Sequence, residues 1–130
     1  AMLSRPMADD AEMRAYLGAI LPLYFNGRDP AVMEDIGGRG VYSAAAWNHA
    51  AANCMPVFNY LANLGDITAP TLVLSGADDY ITPPAQGGER IHAAIPRSEL
   101  VIFEHSGHFP FIEETDKFMQ VMRSWLAQRQ

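Results

Sequence analysis

The sequence predicts an α/β fold in which two parallel strands with their helices follow an all-helical segment. Three observations predict it. Residues 71–75 and 100–103 are short, continuous apolar runs of the kind found in strands covered on both faces. A helical pattern follows each run, so the order is β-α-β-α, which implies a right-handed crossover and parallel pairing. Before Gly65 nothing alternates with period two, and apolar residues recur at helical spacing instead.

The helical segment is taken as residues 1–65. Asp9 and Asp10 can cap a first helix whose residues Met13, Tyr16, Leu17, Ile20 and Leu21 form one apolar stripe, and Pro22 disturbs its end. Asp29 before Pro30 marks a second helix, with Asp as cap and Pro in the first turn, and Gly37-Gly38 marks its end. Ser43 caps a third from Ala44. Pro56 breaks that helix and leaves a final turn or two through Tyr60 and Leu61. Short helices of this kind read as an accessory layer.

Residues 66–130 carry the strands. Gly76 ends the first, and Thr82-Pro83-Pro84 is a helix-start signal. Ile91, Ala94 and Ile95 give that helix its apolar face, Gly87-Gly88 weaken it and Pro96 stops it. The second strand lies within residues 99–104. Phe118, Met122 and Trp125, with Met119 and Leu126 beside them, mark an amphipathic last helix over 115–128. Two parallel strands this apolar need neighbours on both sides, so further strands are expected from outside these residues.

A length of 130 residues suits one domain. The net charge is −6 and the basic residues are scattered, which argues against a nucleic-acid partner, since phosphates call for a basic stripe. The apolar runs fall far short of the ~20 residues needed to span a bilayer, so no membrane partner is expected. Residues 1–10 lack the apolar stretch of a secretory signal. Cys54 is the single cysteine, so no intrachain disulfide can form, and a cytoplasmic location is expected. Cys54 itself reads as a small buried hydrophobe.

Chemistry-bearing residues gather in two loops. The first strand is followed by Gly76-Ala77-Asp78-Asp79-Tyr80-Ile81-Thr82-Pro83, the second by His105-Ser106-Gly107-His108-Phe109-Pro110. Both loops leave the carboxyl ends of neighbouring parallel strands, where open α/β sheets place reacting groups. An acid and a histidine on one sheet edge make half of a triad, because a carboxylate fixes the imidazole tautomer and stabilises the imidazolium.

Residues 70–84, Pro-Thr-Leu-Val-Leu-Ser-Gly-Ala-Asp-Asp-Tyr-Ile-Thr-Pro-Pro, resemble the acid-bearing strand and turn of α/β-hydrolases. Ser-Gly-His-Phe-Pro at 106–110, with Glu113 and Glu114 ahead of the last helix, resembles their histidine loop. The resemblance implies that residues 66–130 are the C-terminal portion of an α/β-hydrolase sheet and that residues 1–65 are a helical, cap-like segment. It assigns the acid, the fourth residue of Gly-x-x-Asp, to Asp79 and the histidine to His108, which lie 29 residues apart and in the family's order. Asp78 is the alternative acid.

No Gly-x-Ser-x-Gly occurs, so no nucleophile is assigned in this chain; Ser43, Ser75, Ser98 and Ser106 lack the strand-turn-helix context. The resemblance is close to proline iminopeptidases, which implies removal of an N-terminal residue from peptides. Several members carry a glutamate after the acid to hold the free amine, where this chain has Tyr80. Glu34 or Asp35 could serve instead, or be plain solvated residues. Esterases, lactonases and dehalogenases share the same tail.

Other readings stand beside these. His105, His108 and Asp79 could be read as a metal site, but no further ligand motif accompanies them, and neither metal nor cofactor is expected. His49 and His92 sit in helical contexts as surface or core residues. Tyr80, Phe109 and Trp47 are candidates for a substrate pocket, with Tyr24, Phe25 and Phe111 as further walls, although aromatic residues of this kind are more often plain core. The expected partner is a small-molecule or short-peptide substrate. A different class of function is a non-catalytic binding or homo-oligomeric module, in which strand edges pair with another copy or with an N-terminal half.

Overall fold

Helix termini, strand register and the approach of backbone to backbone set the architecture of the computed structural model, which describes residues 5–27 and 30–129. The described chain forms two units, one of residues 5–22 and 30–60, the other of residues 23–27 and 61–129. Residues 23–27 thus group with the strands and not with the helices that flank them in sequence.

The first unit is helical. Helix α1 spans Asp10–Ile20, and Asp9 caps it by accepting a hydrogen bond from the Glu12 amide at 2.8 Å. Glu12 returns the favour to the Ala8 amide at 2.6 Å, close to a capping box. A 3-10 turn over Leu21–Tyr24 follows at Pro22. Helix α2 is Pro30–Arg39; the predicted Asp29 cap lies outside the described residues.

The Gly37-Gly38 pair does not end α2, contrary to expectation. Arg14 of α1 donates to the Gly37 carbonyl at 3.3 Å, the Tyr42 hydroxyl donates to it at 2.7 Å, and Asp35 pairs with Arg39 at 2.7 Å across the last turn. A helical glycine costs about 1 kcal/mol, which these contacts offset.

Helix α3, Ala44–His49, is capped by Ser43 through the Ala46 amide at 3.2 Å and widens into a π turn at Ala50–Cys54 ahead of Pro56. The helical turn expected after Pro56 begins only at Leu61, as a 3-10 turn over Leu61–Asp66. Cys54 corrects another expectation: it is exposed, within a run of exposed residues from 52 to 63. The core of this unit is Met7, Met13 and Ala44, with Tyr16, Leu17, Tyr42 and Trp47 packed on it.

In the second unit β1, Thr71–Gly76, pairs in parallel with β2, Ser98–Phe103, and Thr71 stands opposite Ser98. Helix α4 covers only Gly88–Ala94. Thr82-Pro83-Pro84 opens a series of turns and not the helix itself, with the Gly87 amide bonded to the Pro83 carbonyl at 2.9 Å. Gly87 takes a φ of −113° and ψ of −96°, outside the helical region. A Cβ on Gly88, the first residue of α4, would lie 2.9 Å from Cβ of Ser75, so helix and strand touch there without a side chain between them.

After β2 comes a short helix α5, Pro110–Glu113, which the periodicity did not reveal, and then α6, Thr115–Ala127. Phe118 packs against fully buried Phe103, with ring centres 6.2 Å apart. Met119 and Leu126, expected beside the apolar face, are exposed, so that face is narrower than its composition suggests. Phe25, Val73, Ile95 and Phe103 are the buried hydrophobic residues of the unit.

Candidate active site: Asp79 and His108

Gly76 brings the two loops together. The Ala77 amide donates to the Phe103 carbonyl at 2.9 Å and the Asp78 amide to the Ser106 carbonyl at 3.0 Å. A Cβ on Gly76 would sit 1.9 Å from the Gly107 oxygen, so only glycine lets the histidine loop cross the end of β1.

Asp79 is 6% exposed, and its carboxylate is fully engaged. Oδ1 accepts from the amides of Ile81 at 2.8 Å and Thr82 at 2.9 Å, a local turn that aspartate favours. Oδ2 accepts from the Thr82 hydroxyl at 2.8 Å and lies 2.8 Å from Nδ1 of His108. Burial by itself would raise the carboxyl pKa. The hydrogen bonds from the Thr82 amide, His108, the Thr82 hydroxyl and the Ile81 amide outweigh it and hold Asp79 below the ordinary aspartate value.

An ionised Asp79 can only accept at Oδ2, so Nδ1 of His108 carries the proton in that bond. In the neutral ring the other nitrogen, Nε2, then bears the lone pair, and the side chain as a whole is one-third exposed. The arrangement can accept a proton at Nε2 and stabilise the resulting imidazolium.

The backbone of His108 is held as firmly as its ring. Its amide donates to the Tyr24 carbonyl at 2.7 Å, and the Tyr24 ring meets the imidazole edge-on with centres 5.2 Å apart. Glu114 accepts from the His105 amide at 3.0 Å and the Ser106 hydroxyl at 2.7 Å. Burial would raise the Glu114 pKa, but those two bonds and nearby Lys117 lower it. Glu113 accepts from the Gly107 amide at 2.8 Å.

The remaining sequence candidates fall as follows. Asp78 sits beside Asp79, but the carboxylate facing His108 belongs to Asp79. Tyr80 is adjacent and 70% exposed. Phe109 stacks on Tyr24 at 5.6 Å and meets Phe25 and Phe111 edge-on. Trp47 belongs to the helical unit, where it packs against Tyr16. Asp35 pairs with Arg39, and Glu34 is exposed at the rim of a groove formed with Met33, Leu21 and Pro30. His49 is exposed, and His92 lies 2.8 Å from the Ser98 hydroxyl. His105 is exposed, and among the described residues no three His, Cys, Asp or Glu side chains converge as metal ligands.

The sequence named Thr82 only as part of a helix-start signal, Tyr24 only as a possible pocket wall, and Glu113 and Glu114 only as accompanying the histidine loop; their contacts with Asp79, His108 and the loop backbone were not foreseen. Thr82, three residues after the acid, was legible as an aspartate-turn partner. The contact of Tyr24 with His108 and the bonds of Glu113 to Asn26 and Gly27 had no local signal, because those partners lie far along the chain.

Among the described residues no helix is long and apolar enough to cross a membrane. Residues 8–115 match the alpha/beta hydrolase fold family. A proline iminopeptidase of Lactobacillus crispatus is 39% identical over 71 residues, covering 55% of this chain and 24% of that protein. An esterase from Exiguobacterium antarcticum superposes with a TM-score of 0.76 at 24% identity, over 88% of this chain and 42% of the other. The enol-lactonase from Burkholderia xenovorans gives 0.75 at 26% identity, over 89% and 45%. The chain thus spans about a quarter of the length of that iminopeptidase and under half of that esterase and that enol-lactonase. With a family match over most of its length and the same fold as these hydrolases, the chain belongs to the α/β-hydrolase family.

Proposed function

We propose that this chain supplies the acid and the histidine of a serine hydrolase that cleaves an ester, amide or peptide bond, with Asp79 orienting His108 as general base. The observation that carries the reading is the 2.8 Å approach of Asp79 Oδ2 to His108 Nδ1, from a carboxylate whose other acceptor sites are taken by three local donors. In this reading Nε2 takes the proton of a serine hydroxyl as it attacks the carbonyl, then returns it to the leaving group. The serine would lie in sequence beyond these 130 residues, which contain no Gly-x-Ser-x-Gly.

The iminopeptidase relatives favour a peptide bond after an N-terminal residue as the first bond to test, with exposed Tyr80, beside the acid, as the proposed contact for that residue. Chromogenic prolyl amides and simple aryl esters separate a peptidase from an esterase. The chain alone should turn over neither. A longer protein containing it should lose activity roughly a million-fold on His108→Ala. Activity that survives this substitution refutes the reading.

A further inference from the structure

We propose that Glu113 is a positioning residue for His108, acting through the backbone on both sides of the histidine loop; the inference rests on the reading of Asp79 and His108 as acid and base. Glu113 closes α5, and its half-buried carboxylate gathers three backbone donors. Oε1 accepts from the amides of Asn26 at 2.6 Å and Gly27 at 3.3 Å, and Oε2 accepts from Gly107 at 2.8 Å. One side chain therefore ties together two stretches of backbone that are about eighty residues apart in sequence.

The seam it closes is where the imidazole is aimed. The His108 amide reaches the Tyr24 carbonyl at 2.7 Å, and a Cβ on Gly107 would stand 2.5 Å from that same oxygen. Backbone meets backbone, with no side chain between them to fill a gap if the stretches part. The Tyr24 ring, carried by one side of the seam, flanks the imidazole carried by the other. Asp79 grips Nδ1 from a third direction. If the seam opens, His108 keeps its acid only by following the movement of its own loop.

Charge matters in this arrangement. Both carboxylate oxygens accept, and bonds from neutral amides to a carboxylate are stronger than neutral pairs. A glutamine would turn one end into a donor facing donors. Glu113→Gln therefore removes one side of the clamp without changing its size.

The test is NMR of the 15N-labelled chain. In the wild type the Nδ1 proton of His108 should resonate far downfield, and Asp79→Asn should abolish the signal. In Glu113→Gln that proton should exchange with water about tenfold faster, matching the loss of one such bond. The amides of Asn26, Gly107 and His108 should lose protection together while β1 and β2 keep theirs. A folded Glu113→Gln chain with the wild-type imidazole exchange rate overturns the inference. Failure of the underlying reading looks different: the downfield proton is missing from the wild type or survives Asp79→Asn. Should Glu113→Gln not fold, exchange in the wild type decides, because a single clamp requires those three amides to open in one event and separate opening rates refute it.

Discussion

Gly76 and Gly107 meet backbone to backbone: a Cβ added to the first would lie 1.9 Å from the carbonyl oxygen of the second. The end of the first strand and the residue before the histidine therefore share a space that holds no side chain.

Gly76→Ala should accordingly destabilise the second unit by about 3 kcal/mol, at the upper end of overpacking costs, because backbone and not a flexible side chain must move. Gly18→Ala is the control. Gly18 is exposed inside α1 with nothing within 4 Å, so alanine there should stabilise by about 0.5–1 kcal/mol. Urea titrations of both variants check the contrast, and equal midpoints would contradict it.

Asp79→Asn should leave the fold nearly intact yet lower kcat of a complete enzyme by about ten-thousand-fold. The asparagine amide can donate toward Nδ1, which favours the tautomer with its proton on Nε2 and leaves no base for the nucleophile. Steady-state kinetics on a longer protein containing this chain measure it. A loss of less than tenfold would mean that the carboxylate does not orient the histidine.

Acid should unfold the second unit earlier than ordinary carboxylates would require. Asp79 and Glu114 both titrate below their usual values in the folded chain. The unfolded chain binds those protons more readily, so the stabilisation is complete above about pH 5 and is lost as pH falls through about 4 and below. Denaturation midpoints between pH 7 and pH 3 give the slope. The double variant Asp79→Asn, Glu114→Gln should flatten it, and a slope unchanged in that variant would show that other groups carry the effect.

Cys54 should react with a thiol reagent in the native chain at the rate of a small free thiol, within about threefold. It stands exposed at the end of the π turn. Protection until denaturant is added would restore the buried reading drawn from its residue type.

Much of this protein was legible from its residues. The apolar runs at 71–75 and 100–103 became the two parallel strands, Asp9 and Ser43 became helix caps, and the loop residues Asp79 and His108 stand on one sheet edge. These features depend on spacing of a few residues, where period two, period 3.6 and cap chemistry act. Helix α5, the delayed start of α4 and the passage of α2 through two glycines were not legible, since each depends on what packs against the segment.

The sequence by itself determined the strand-helix order and which acid and histidine types lie after the strands, because those follow from local periodicity and turn chemistry. Only the tertiary structure decided that Asp79 and not Asp78 faces the imidazole, that residues 23–27 join the strand unit, and that Glu113 bonds Asn26 across 87 residues. The physical reason is range. A backbone hydrogen bond between distant segments leaves no period in either segment, and it exists only once the chain has brought donor and acceptor within 3 Å of each other.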